Sequence, residues 1–370
     1  MKPLQLKPSA IGGCLAVALL AACTALRQAQ DDMPPTSMEP NVLPQSYRNS
    51  LDRARERPQP LASPLNLYAA NYSGNTVTAY KPGTSSPMLT ISAGIDEPDG
   101  LAFDNSKNLY VANWANNTVT VYKNGKSGIL RTLSTDVDFP STVGFDPSND
   151  EIYVGNEGTG YYFGWLSVYS VTGKYLTSIS DGIGSPYALA FDGSGDAYVA
   201  NQYGNSVTEY SPTTNALLLT ITDGVNDPDA LAFDSAGNLY VANSGGNTVT
   251  EYAPGSTTIS RTISSEVSCP TALAFGPHGY LNVANCGGVS FTGSVTQYAP
   301  GSGKVARTIT AGINNPWSLA FGSNGYLNVG NAPGTTSNNG WITEYAPGSG
   351  KVARTITDGV NEPTVIMFGP

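Results

Sequence analysis

The chain has 370 residues, a net charge of −10, and only 12% charged side chains against 40% hydrophobic ones. No basic stripe for a phosphate backbone is present, which excludes nucleic acid as a partner. A single histidine, His278, leaves little material for a Ser-His-Asp triad or a histidine general base.

Met1 to Ala22 reads as a targeting segment. Lys2 and Lys7 precede an uncharged run, Ala10–Ala22, that is too short to span a bilayer and fits a signal-peptide core. The run ends in Leu20-Ala-Ala-Cys23, which resembles the bacterial lipobox. That resemblance implies cleavage before Cys23, a lipid on this cysteine, and a membrane anchor in the bacterial cell envelope. Thr24, rather than Asp, fits sorting to the outer membrane. The alternatives are an ordinary secretory cut nearby or a site at Ile11-Gly-Gly-Cys14. Residues 23–64 are rich in Pro, Gln, Arg and Asp without apolar periodicity, and read as a flexible tether. As random coil it would span roughly 35 Å.

From Leu65 onward one unit recurs. Prolines stand before apolar runs at 98, 140, 186, 228, 270, 316 and 363, a spacing in the range of propeller blades. The cleanest copy, Pro228 to Cys269, reads as four short strands. Ala230–Phe233 is followed by a turn into Leu239–Asn243, then Thr248–Tyr252, then Ile259–Ile263. Such a sheet is apolar on both faces and must stack against its neighbours. The second-strand position ends in Asn seven times, and the first strand carries Phe seven times. The chain opens at Leu65 without a first strand and closes at Thr364–Gly369 with a first strand lacking followers. The expectation is therefore all-β: a seven-bladed β-propeller of four-stranded antiparallel blades, closed by the C-terminal strand joining the N-terminal blade.

Antiparallel order places the second-to-third and fourth-to-first connections on one face. Loop length varies there, and the aromatics gather there: Trp114, Tyr161, Tyr162, Phe163, Trp165, Tyr187, Tyr203, Trp317 and Trp341. These residues are the candidate ligand-binding face. Some of them are equally expected to plug blade tops. The seven strand-end Asn residues read as turn caps, since a feature present in every blade serves the blade.

No catalytic residue is assigned. Asp99 and Asp229 share the position after the proline and are the weak candidates for a metal such as Ca²⁺, yet they lie three blades apart. Pro300-Gly-Ser-Gly-Lys304 lacks the spacing and following helix of a phosphate loop. Cys269 and Cys286 fall opposite one another at the open end of one hairpin, which predicts a disulfide; two buried thiols are the alternative. An exported compartment permits the bond.

Leu239-Tyr-Val-Ala-Asn243 followed by Asn247-Thr-Val-Thr-Glu-Tyr252 resembles the YVTN and NHL-type propeller repeats over residues 65–370. Propellers with similar folds include the virginiamycin B lyase and gluconolactonase types. Lyase chemistry of that type implies a channel-mouth histidine that is missing here, and the Glu, Asn and Asp metal set of the lactonases does not map residue by residue. The identical segments Tyr298–Thr310 and Tyr345–Thr357 fit a scaffold better than a tuned active site. The resulting expectation is a lipid-anchored extracytoplasmic binding or scaffolding propeller, with an envelope protein, peptide or glycan as partner. A divalent-metal hydrolase or lyase in the central channel is the alternative.

Overall fold

The computed structural model describes residues 65–159, 163–287, 293–332 and 340–370. The targeting segment, Cys23 and the tether fall outside those residues. Among the described residues, 28 strands, β1 to β28 in chain order, form seven four-stranded antiparallel sheets. Helical geometry among these residues is limited to two short 3-10 turns, Lys123–Gly125 and Pro277–Gly279.

The repeat expected around Pro228 forms as β16 (Pro228–Phe233), β17 (Leu239–Asn243), β18 (Thr248–Tyr252) and β19 (Arg261–Ile263). The first strand starts two residues earlier than the sequence suggests. Proline is tolerated at a strand's first position because it has no N–H to offer the ladder. All five residues of β17 are buried, because neighbouring blades cover both of its faces. The fourth strands alternate instead: in Leu217–Ile221 the burial runs partly buried, exposed, partly buried, exposed, buried, so only the inward residues meet the core.

The ring closes as expected. β28 (Pro363–Gly369) pairs with β1 (Asn66–Asn71), which continues to β2 (Thr76–Tyr80) and β3 (Leu89–Ile91). Numbered from this closing sheet, blade 1 is built from both chain ends, and blades 2 to 7 follow in sequence.

Two repeated contacts hold neighbouring blades together. Aromatic rings meet edge-on across blade boundaries, as in Tyr68–Phe103, Tyr198–Phe233 and Tyr240–Phe275, with centroids 5.0–5.1 Å apart. The tyrosine ending each third strand is almost fully buried, and its hydroxyl donates to a carbonyl in the loop arriving from the preceding blade. Examples are Tyr210 to the Asp181 carbonyl at 2.6 Å and Tyr80 to the Asp358 carbonyl at 2.7 Å. The second of these crosses the closure point. Burial pushes the Tyr210 and Tyr80 hydroxyls up to about 12, so both remain donors across the neutral range.

Candidate functional site

The strand-end asparagines organise the loop face. Asn243 Nδ2 donates to the Thr250 and Thr248 hydroxyls and to the Val241 carbonyl, while its Oδ1 accepts the Asn226 N–H at 3.1 Å. Asn71, Asn113, Asn156, Asn201, Asn285 and Asn331 each accept the corresponding loop N–H, two residues before their own blade's proline. The amides are therefore consumed within the blade. Their caps reach back to the preceding loop as well as forward.

The residue after each Asn is anchored in turn. Its N–H donates to the carbonyl of the residue before the blade's proline: Tyr72 to Glu362, Trp114 to Glu97, Glu157 to Phe139, Gln202 to Ser185, Ser244 to Asp227, Cys286 to Cys269 and Ala332 to Asn315, at 2.9–3.1 Å. All seven pre-proline residues hold φ between 46° and 53°, although none is glycine. That conformation is costly for ordinary side chains. It persists because bonds on both sides fix it; the N–H of Glu97, Phe139, Asp227 and Cys269 each reaches an Asn side chain of the previous blade at 2.7–2.9 Å. No residue type marks this position, so sequence reading missed it.

Together these bonds string side chains from several blades into one band. Tyr72 donates its hydroxyl to Glu97 at 2.9 Å. Trp114 packs on Phe139 with ring centroids 4.9 Å apart and points its indole N–H at Glu157, 3.4 Å away. Burial pushes the Glu157 carboxyl above the usual range. The Phe163 carbonyl accepts the Ser185 N–H, and Ser185 in turn accepts the Gln202 N–H, so Phe163 and Tyr203 flank one short backbone link. Phe163 is 72% exposed and Tyr203 43%. Gln202 continues the band into blade 5 with a 2.9 Å bond to Asp229.

The other expected aromatics are placed differently. Trp165 and Trp341 begin third strands, where most blades have Thr or Ser, and their indoles donate to the carbonyls of Asp136 and Gly312. They are partly buried. Tyr187 is buried, at 3% exposure, and Trp317 packs against the core of blades 6 and 7. Tyr161 and Tyr162 lie outside the described residues. The structure thus brings Trp114, Phe163 and Tyr203 into the band and uses Trp165, Trp341, Tyr187 and Trp317 largely for packing. The sequence reading placed Tyr72 among the second-to-third loop aromatics but missed Phe139, Glu97 and Glu157; a strand-end Asn or a pre-proline position was the available signal.

Asp99 and Asp229 are both buried at the inner ends of this face. Burial, first of all, pushes the Asp229 carboxyl up to about 8, against the lowering effect of the Gln202 bond. Among the described residues no three His, Cys, Asp or Glu side chains stand close enough to share a metal ion. The donor set among these residues does not fit a calcium centre.

Cys269 and Cys286 form the expected disulfide, with Cα atoms 5.4 Å apart. It reinforces the bond from the Cys286 N–H to the Cys269 carbonyl that every other blade makes without sulfur.

The fold and this loop face define a β-propeller. The family model described as SMP-30/Gluconolactonase/LRE-like region matches residues 156–283. No curated protein matches the chain. Among solved structures, a functionally unknown protein from Desulfotomaculum acetoxidans DSM 771 superposes with a TM-score of 0.66 at 15% identity, covering 82% of this chain and 98% of that one. The hydrazine synthase of Kuenenia stuttgartiensis superposes with a TM-score of 0.61 at 16% identity, covering 79% and 93%. At these identities the likeness concerns the fold alone.

Proposed function

We propose that this chain is an extracytoplasmic binding or scaffolding propeller, lipid-anchored through Cys23, that recognises an envelope protein, peptide or glycan on its loop face. The observation that carries the reading is the exposure of Phe163 and Tyr203, joined through Ser185 and Gln202, on the face that also holds the hydrogen-bonded Tyr72–Glu97 and Trp114–Glu157 pairs. Exposed aromatics with polar neighbours suit recognition surfaces.

The test is to probe peptide and glycan arrays with the full chain and with a Phe163→Ala/Tyr203→Ala variant. Spots bound by the parent and lost by the variant are expected. Absence of any bound spot, or equal binding by both proteins, contradicts the proposal.

The gluconolactonase-like match over residues 156–283 favours a second reading, a divalent-metal hydrolase or lyase of the channel, in which Asp229, the one of the two buried aspartates inside that stretch, would supply a single ligand. That reading requires a melting temperature raised by millimolar Ca²⁺, reversed by EDTA, and no longer raised in Asp229→Ala. A flat response contradicts it.

A further inference from the structure

The charges of the propeller are sorted by face. The fourteen connections of the loop face hold eleven Asp and Glu residues, and Asp99 and Asp229 stand just inside them, yet no Lys, Arg or His occurs in any of those connections. All eleven Lys and Arg residues of 65–370 lie instead in the opposite turns or on the outermost strands. Several of the face's carboxylates are exposed and unpaired with cations, including Asp136, Asp181, Asp223, Glu266 and Asp358. Among the described residues the two ion pairs, Arg261–Glu251 and Arg354–Glu344, join third and fourth strands away from this face.

Like charges gathered without counter-charges repel one another and raise a negative potential over the surface. Here the potential coincides with the aromatic band, where Glu97 meets Tyr72 and Glu157 meets Trp114. Tyr72 and Trp114 are partly buried, and carboxylates beside partly exposed aromatic rings suit guanidinium and ammonium groups, through ionic attraction and through the ring faces. The carboxylates are spread over blades 1 to 6, and among the described residues no three converge on one point. A single small ion therefore engages only a fraction of them, whereas an extended chain bearing several cationic side chains reaches many.

We infer that the partner of the loop face is a basic segment of another polypeptide, laid across the Tyr72–Glu97–Trp114–Glu157–Tyr203 band. This rests on the binding reading above and narrows it to one ligand chemistry. Anionic glycans, nucleic acid and anionic lipid surfaces are repelled by the same face.

The test is a titration of the full chain with octa-arginine at low salt, followed by intrinsic fluorescence, with an uncharged Gly-Ser octapeptide as control. Two variants carry the same change of net charge. One is Asp181→Asn/Asp223→Asn/Asp358→Asn on the loop face; the other is Asp150→Asn/Asp196→Asn/Glu209→Gln on the opposite face. Weakening of tenfold or more in the first variant, less than twofold in the second, and loss with added salt are expected. Equal weakening in both variants means that net charge alone attracts the peptide, and overturns the inference. No binding of octa-arginine, alongside array ligands still lost on Phe163→Ala/Tyr203→Ala, also overturns it while leaving the binding face intact. Failure of the array test as well removes the underlying reading.

Discussion

Asp229 shows how one position changes character with its residue. In blades 1, 3 and 6 the corresponding Thr364, Ser141 and Thr271 donate a hydroxyl hydrogen to the next blade's proline carbonyl, at 3.2, 2.6 and 2.7 Å. An aspartate can donate only when protonated, and Asp229 is held near 8 by burial, flanked by Gln202, Ser244 and Asp227. The unfolded chain releases that proton near pH 4, so folding takes up a proton between about pH 4 and pH 8. This contribution to stability is full below pH 4 and is lost as the pH rises through 8. Asp229→Asn, which keeps the shape of the neutral acid, should melt several degrees above the parent at pH 8, with a smaller gap at pH 5. An identical pH dependence in both proteins would refute the assignment. The sequence pattern put Asp229 directly after its blade's proline but could not reveal its partner, because Gln202 comes from the neighbouring blade. It likewise read the seven asparagines as serving the blade, but expected bonds two or three residues on; the amides instead reach hydroxyls across the turn, and each Oδ1 reaches a loop brought near only by the closed hairpin.

Strand pairing carries the closure. β28 supplies the innermost strand of blade 1, and Tyr80 and Thr364 tie that blade to its neighbours on either side. Removing residues 363–370 exposes β1 as a free inner edge and uncovers Leu67, Ala69 and Tyr68, so the whole ring should lose stability together. Thermal unfolding of that truncation is expected to begin far below the parent's; a matching melting curve would contradict closure by β28. The disulfide is a milder device. Cys286→Ser retains the backbone bond that six other blades use unaided, and the loop-entropy model assigns the cross-link about 3 kcal/mol. The variant should fold and melt a few degrees lower, and reductant should lower the parent by the same amount. The register arithmetic of the hairpin was legible because turn and strands were local. The shortened β19 was not, because the end of an outer strand depends on side-chain packing rather than on pattern.

Across the whole molecule, repetition explains what could be read and what could not. Seven prolines, seven asparagines and seven phenylalanines repeat because each blade solves the same packing problem, and that regularity fixed blade number and closure from sequence. Recognition depends on departures from the repeat. Trp114, Glu157, Phe163 and Tyr203 are each peculiar to their blade, and only the assembled ring shows that Trp114 meets Glu157 and that Ser185 and Gln202 link Phe163 to Tyr203. Trp165 and Trp341 look equally distinctive in sequence, yet their indoles close local bonds to Asp136 and Gly312. The central claim, that one face carries recognition, is tested most directly by calorimetric titration of the strongest array ligand against two paired variants. Phe163→Ala/Tyr203→Ala alters the band, and Leu176→Ala/Leu218→Ala removes comparably exposed apolar side chains from the outer strands. The account predicts at least tenfold weaker binding for the first pair, about 1.4 kcal/mol, and unchanged binding for the second. Unchanged binding for the first pair, or loss confined to the second, would contradict it.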